Sequence, residues 1–116
     1  VTADPHELTS DLIDVGRELR DVLALLESAG QAEASARAEY KRRYLTARAE
    51  ARAADPKLRV GDLEEIAGLA AWEAWSSMIA AESWSRVLRE KAHSLRQILS
   101  AHQSRHRVEA AYGGVG

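Results

Sequence analysis

The chain has no cysteine and no phenylalanine, and aromatic residues make up only 5 % of its 116 positions. Without cysteine there is no disulfide and no thiolate metal site, and the redox compartment stays open. With few aromatics and much alanine, the 46 % of hydrophobic residues can bury only a thin, wide core, as between closely packed helices. Proline occurs twice, at Pro5 and Pro56, so two long stretches lack the residue that breaks a helix. No apolar run approaches the ~20 residues of a membrane-spanning helix. The acidic N-terminal stretch has no signal-peptide pattern, and a cytoplasmic protein is expected. Neither sign of charge dominates: 16 bases against 18 acids give a net charge of −2. A nucleic-acid surface would therefore have to be a local patch. Phosphate-binding glycine loops and nucleophile–base sets are missing, so neither an enzyme nor a cofactor is expected.

What is present is helical pattern. Asp4-Pro5-His6-Glu7 reads as a helix start, with Asp4 as cap, Pro5 at the first position and Glu7 three residues after the cap. Leu8, Leu12, Val15, Leu19, Val22 and Leu26 follow at steps of four and three, a heptad seam. Gly30 is open to two readings, a C-cap that ends this helix or a glycine inside a longer, bent one. From Gln31 to Ala54 a small apolar line continues through Ala36, Tyr40, Tyr44, Ala47, Ala51 and Ala54. Ala54-Asp55-Pro56-Lys57 stops it, because a residue before proline disfavours the helical region. A second long helix is expected from Asp62, which can cap with Glu65 reaching back, to Ala111. Its best apolar line is Ile66, Ala70, Ala74, Ser77, Ala81, Trp84, Leu88, Leu95 and Leu99, with a change of packing near Trp84. Residues 112–116 read as a flexible tail.

Charge is sorted along the chain. Residues 1–35 hold eight acids and two bases, and residues 36–61 hold eight bases and three acids. Residues 62–85 hold five acids and no base, and residues 86–116 hold six bases and two acids. Folding at the connector joins opposite signs along both arms, which are nearly equal in length. These features predict one all-α domain over residues 1–116: a long antiparallel helical hairpin, coiled-coil-like, of helices 5–54 and 62–111. A three-helix arrangement broken at Gly30 is the alternative. At ~1.5 Å per residue the second arm would be roughly 70 Å long, too long for a compact domain of this size. A homo-oligomer is expected, with the seam Leu8, Leu12, Val15, Leu19, Val22 and Leu26 and the tryptophans Trp72, Trp75 and Trp84 as interfaces.

Arg37, Lys41, Arg42, Arg43, Arg48, Arg52, Lys57 and Arg59 are the candidate nucleic-acid surface, with Tyr40 and Tyr44 interleaved. The competing reading pairs these bases with Glu64, Glu65, Glu73 and Glu82 across the hairpin. Arg42, Arg43 and Arg52 cannot all face those acids. A surplus repeated around a ring of subunits would make a phosphate track without a basic isoelectric point. For the tryptophans, the competing readings are core or interface and a stacking surface for bases. Their acidic neighbours argue against direct phosphate contact. His102 and His106 share a helical face at i, i+4, but Gln103 stands where a zinc protease needs glutamate, and no metal is expected.

The Ala-rich stretch Ala36-Arg37-Ala38-Glu39-Tyr40-Lys41-Arg42-Arg43-Tyr44 precedes a charged connector. After it comes a long helix with tryptophan in its first half and Leu95-Arg96-Gln97-Ile98-Leu99-Ser100 near its end. In this pattern of residue classes the chain resembles the UvsY-like family of phage recombination mediators. The resemblance implies a ring-forming helical hairpin that binds single-stranded DNA. Such a mediator helps load a recombinase by displacing the single-strand-binding protein. It also implies DNA contacts from Lys41, Arg42, Arg43 and Arg48. The acidic N-terminal seam and the slightly acidic net charge depart from the family pattern. The alternative, from the residues alone, is a structural or adaptor coiled-coil protein of phage assembly or secretion, binding a protein partner through its heptad seam.

Overall fold

The computed structural model describes residues 5–113, with side chains described for 10–105 and 107–110. The fold is all-α, a helical hairpin of α1 (Pro5–Ala54), α2 (Val60–Ala70) and α3 (Trp72–Gly113), with no strand among the described residues. The expected Asp4 cap and residues 114–116 lie outside the described residues.

Helix α1 begins at Pro5 and runs unbroken through Gly30. Neither Gly16 nor Gly30 has a positive φ, and a Cβ on either would meet nothing within 4 Å. Gly30 therefore neither ends the helix nor serves a close approach. The helix stops at Ala54, where Asp55 takes the last turn's bond to the Ala51 carbonyl (3.0 Å) and Pro56 prevents continuation. Arg52 Nη1 donates to the carbonyls of Pro56 (3.0 Å) and Leu58 (2.8 Å), and the Lys57 amide donates to Asp55 Oδ1 (3.0 Å). The connector is thus held by side chains as well as by its own backbone.

The second arm corrects two expectations. It starts at Val60, not at Asp62, because Arg59 is extended (φ −67°, ψ 150°) and its carbonyl already accepts from Leu63 at 3.0 Å. Arg59 occupies the cap without a side-chain cap bond, and Asp62 lies in the first turn, where a negative charge favours the helix dipole. The arm also carries a one-residue irregularity at Ala71 (φ −97°, ψ 9°) between α2 and α3. The bonds Ala71 N to Ala67 O (3.0 Å) and Trp75 N to Ala71 O (2.9 Å) pass through it, so the ladder survives. It falls where the buried line takes two successive steps of four, Leu63–Ala67–Ala71. Two such steps carry a stripe about 80° round an ideal helix, and the step of three on to Ala74 turns it about 60° back. At its other end α3 continues through Tyr112 and Gly113, two residues into the expected tail.

The chain clusters into two compact units. The terminal unit pairs α1 up to Glu27 with α3 from Val87 on. Its seam is Leu12, Val15, Leu19, Val22 and Leu26 against Leu88, Ala92, Leu95 and Leu99, with Val22 and Leu88 each only 3 % exposed. Leucine and valine are expected here, since each fully buried aliphatic side chain contributes ~1.5–3 kcal/mol. Glu18 and Lys91 form an exposed pair at 3.3 Å, of a kind that contributes little. The described part of the predicted oligomer seam is thus the hairpin's own seam; the Leu8 side chain lies outside the described residues. Ile13, Leu23 and Leu25 beside it stay on the surface.

The connector unit, Ser28–Arg86, is packed differently. From the second arm it buries Leu63, Ala67, Ala71, Ala74 and Ser85, with Met78 and Ala81 half-buried. From α1 it buries Ala29, with Ala36, Tyr40, Tyr44, Ala47 and Ala51 half-buried. The expected line through Ile66, Ala70, Ser77 and Trp84 is corrected here: all four are exposed. The second arm presents mostly small residues to this seam, opposite the larger Tyr40 and Tyr44 of α1. Large side chains are displaced to either side.

Candidate nucleic-acid interface

The eight candidate bases do not share one surface. On α1, Arg37, Lys41, Leu45, Arg48 and Arg52 recur at steps of four and three and so form one stripe beside the seam. Arg37 Nη2 meets Glu82 Oε1 of α3 at 2.7 Å and Glu33 Oε1 at 3.1 Å. The first contact places this stripe on the side of the seam that carries Glu82. Gly68, Trp72, Trp75, Ile79 and Glu82 recur at the same steps on the second arm and occupy that same side.

Arg42 and Arg43 belong elsewhere. Both turn to Glu39, at 2.7 Å from Arg42 Nη2 and 2.6 Å from Arg43 Nε. Glu39 and Arg43 line a recess with Ala36, Glu73, Ala74 and Ser77 on the opposite side of the seam. The hydrogen bonds from Arg42, then those from Arg43, lower the Glu39 carboxyl from 4.5 to about 2, and the same contact raises Arg42 above its ordinary value. The two arginines thus share one carboxylate, which offsets one of their two charges.

Five of the eight bases make no ion pair among the described residues: Lys41, Arg48, Arg52, Lys57 and Arg59. Lys57 and Arg59 are exposed on the connector. Arg48 is half-buried, and its Nε is buried without a hydrogen-bond partner. It lines a recess of about 350 Å³ with Leu45, Ala49, Arg52 and Leu63, and no acid shares that lining. Arg52 has one nitrogen committed to the connector carbonyls and lines the same recess as Arg48. Two arginines on one recess whose lining holds no carboxylate suit an oxyanion such as a phosphodiester. Of the cross-hairpin pairs weighed against a nucleic-acid role, Arg37–Glu82 forms.

The tryptophans divide as well. Trp72 and Trp75 stack on each other with ring centroids 5.1 Å apart and planes 24° apart. They line a second recess with Tyr40, Glu65, Gly68 and Leu69. Tyr40 and Tyr44 lie 6.0 Å apart, tilted by 42°. Trp84 is exposed, apart from this cluster. Leu69 and Ile79, exposed on the same side as the stacked pair, were not singled out from sequence. The signal for Ile79 was its step of four from Trp75, on an apolar line beside the one expected to face the seam.

Among the described residues, no group of three or more His, Asp or Glu is placed to hold a metal ion. His102 is half-buried with Nδ1 unpartnered, beside Ile98, Ala101 and Arg105; the His106 side chain lies outside the described residues. Among the described residues, no helix is long and apolar enough to cross a membrane. Comparison with protein-family models, with curated proteins and with solved structures gives no significant match for this chain.

Proposed function

We propose that this chain is a non-enzymatic, single-stranded-DNA-binding recombination mediator that acts as a homo-oligomer and assists recombinase loading. The observation that carries the reading is the stripe Lys41–Arg48–Arg52. It concentrates bases without acidic partners on one side of the connector unit, where phosphates of an extended strand can follow it. The mediator role itself leans on the resemblance of residues 36–44 and 95–100 to the UvsY-like family. In a ring of copies the stripe repeats, and a chain of net charge −2 still offers a phosphate track.

Fluorescence anisotropy of a labelled single-stranded oligonucleotide, titrated at low and moderate salt, tests this. Binding should weaken steeply with salt. Lys41→Glu with Arg48→Glu should abolish it, whereas Arg42→Gln with Arg43→Gln should leave most of it, since those two lie on the other side of the seam and already face Glu39. No binding at micromolar protein and low salt would sink the proposal. A protein-binding adaptor would then be the better reading, favoured by the exposed Ile13, Leu23 and Leu25 beside the terminal seam.

A further inference from the structure

The side of the connector unit that carries the unpaired bases also carries the aromatic recess, which phosphate contacts leave unused. Tyr40 of α1, Leu69 of α2, and Trp72 and Trp75 of α3 wall it, around about 330 Å³ of open space. Trp72 is 58 % exposed and Trp75 37 %. The two indoles stack on one another, and Trp72, the more exposed of them, offers the recess an apolar ring surface. Gly68 keeps one edge open, as no side chain stands there and a Cβ would meet nothing within 4 Å. Lys41, next to Tyr40, heads the stripe that runs on to Arg48.

We infer that this recess is a nucleobase site, in which an unstacked base of a single strand lies against Trp72 while its phosphates follow Lys41 and Arg48. The inference rests on the single-strand reading above. A planar wall of this kind matches the face of a base, whatever its sequence. Glu65 on the rim repels a phosphate, so the strand enters base first with its backbone on the basic side. The same carboxylate accepts hydrogen bonds from the amino edge of cytosine, as carboxylates do in base readout. An amphipathic partner helix fits less well, because it needs a continuous apolar groove and Glu65 interrupts this one.

The test uses the full chain in a Trp84→Phe background, so that the tryptophan signal comes from the recess alone. It is titrated with an oligodeoxythymidine and with an abasic strand of the same length, reading anisotropy and intrinsic fluorescence together. The base-bearing strand should bind and quench; the abasic strand should bind more weakly and not quench. Trp72→Ala should weaken the base-bearing strand roughly 5- to 100-fold, the range that stacking of one base supplies, and leave the abasic strand unchanged. Quenching is read with the recess intact, so it does not depend on the alanine variant folding. Salt-dependent binding of both strands with equal affinity and no quenching would overturn the nucleobase site and leave the single-strand reading standing. Absence of binding by either strand would overturn both.

Discussion

The two units of this hairpin solve the same packing problem with different residues. The terminal unit fills its seam with Leu12, Leu19, Val22, Leu88 and Leu95, and its stability comes from burying aliphatic volume. The connector unit fills its seam largely with Ala67, Ala71, Ala74, Ala81 and Ser85, which bury little area but allow close helix approach. The consequence lies outside the seam. Where the seam is leucine, large aliphatic side chains fill it, and Ile13, Leu23 and Leu25 remain outside. Where the seam is alanine, Trp72, Trp75 and Leu69 are displaced to the surface beside the basic stripe. The half with the smaller seam residues on its second arm is therefore the half with aromatic and basic side chains on its surface.

Swapping side-chain size between the seams breaks this comparison most sharply. Leu88→Ala should cost ~2–5 kcal/mol by leaving a cavity. Ala67→Leu should cost ~1–3 kcal/mol by forcing closely packed backbones apart. Thermal unfolding followed by circular dichroism reads both. An Ala67→Leu variant as stable as the parent would mean that the connector unit is loosely packed and that its exposed tryptophans need another explanation.

A smaller effect is expected at Ser85. It is 1 % exposed and its Oγ has no hydrogen-bond partner. Ser85→Ala removes a buried unsatisfied hydroxyl at nearly constant volume and should raise stability by ~1 kcal/mol. Destabilisation would show that the hydroxyl is satisfied in solution.

The smallest effect is the pH response of Glu39. Its carboxyl sits at about 2 in the folded chain, below its ordinary 4.5, because of the Arg42 and Arg43 hydrogen bonds. A lowered folded value means that the contribution is complete above pH 4.5 and is lost as pH falls towards 2. The group is exposed, so the change is slight. Melting temperatures of the parent and Glu39→Gln should differ above pH about 4.5 and converge near pH about 2. A difference that persists at the acid end would show that the arginines hold Glu39 by packing and not by charge.

Much of the fold was legible in the residues. The stop at Asp55–Pro56 and the start at Pro5 follow from proline's fixed φ and missing donor. The step from small to bulky packing expected near Trp84 coincides with the boundary between the units at Arg86–Val87. The candidate site was legible only in part. Arg37, Lys41, Arg48 and Arg52 could be placed on one stripe by counting. That Glu39 captures Arg42 and Arg43 depends on rotamers, and that Trp72 and Trp75 stand outside depends on which neighbouring line faces the other arm.

The sequence by itself determined the two helical arms, the turn between them and the antiparallel pairing of opposite charge blocks. These depend on local backbone preference and on the order of charges along the chain. Only the tertiary structure decided which face of the second arm turns inward. Neighbouring residues on a helix point about 100° apart, so Ala71 and Ser85 compete with Ala70 and Trp84 for the seam. Hydrophobicity favours the tryptophan in that competition. Volume favours the small residues once the opposing helix is in place, and volume prevailed.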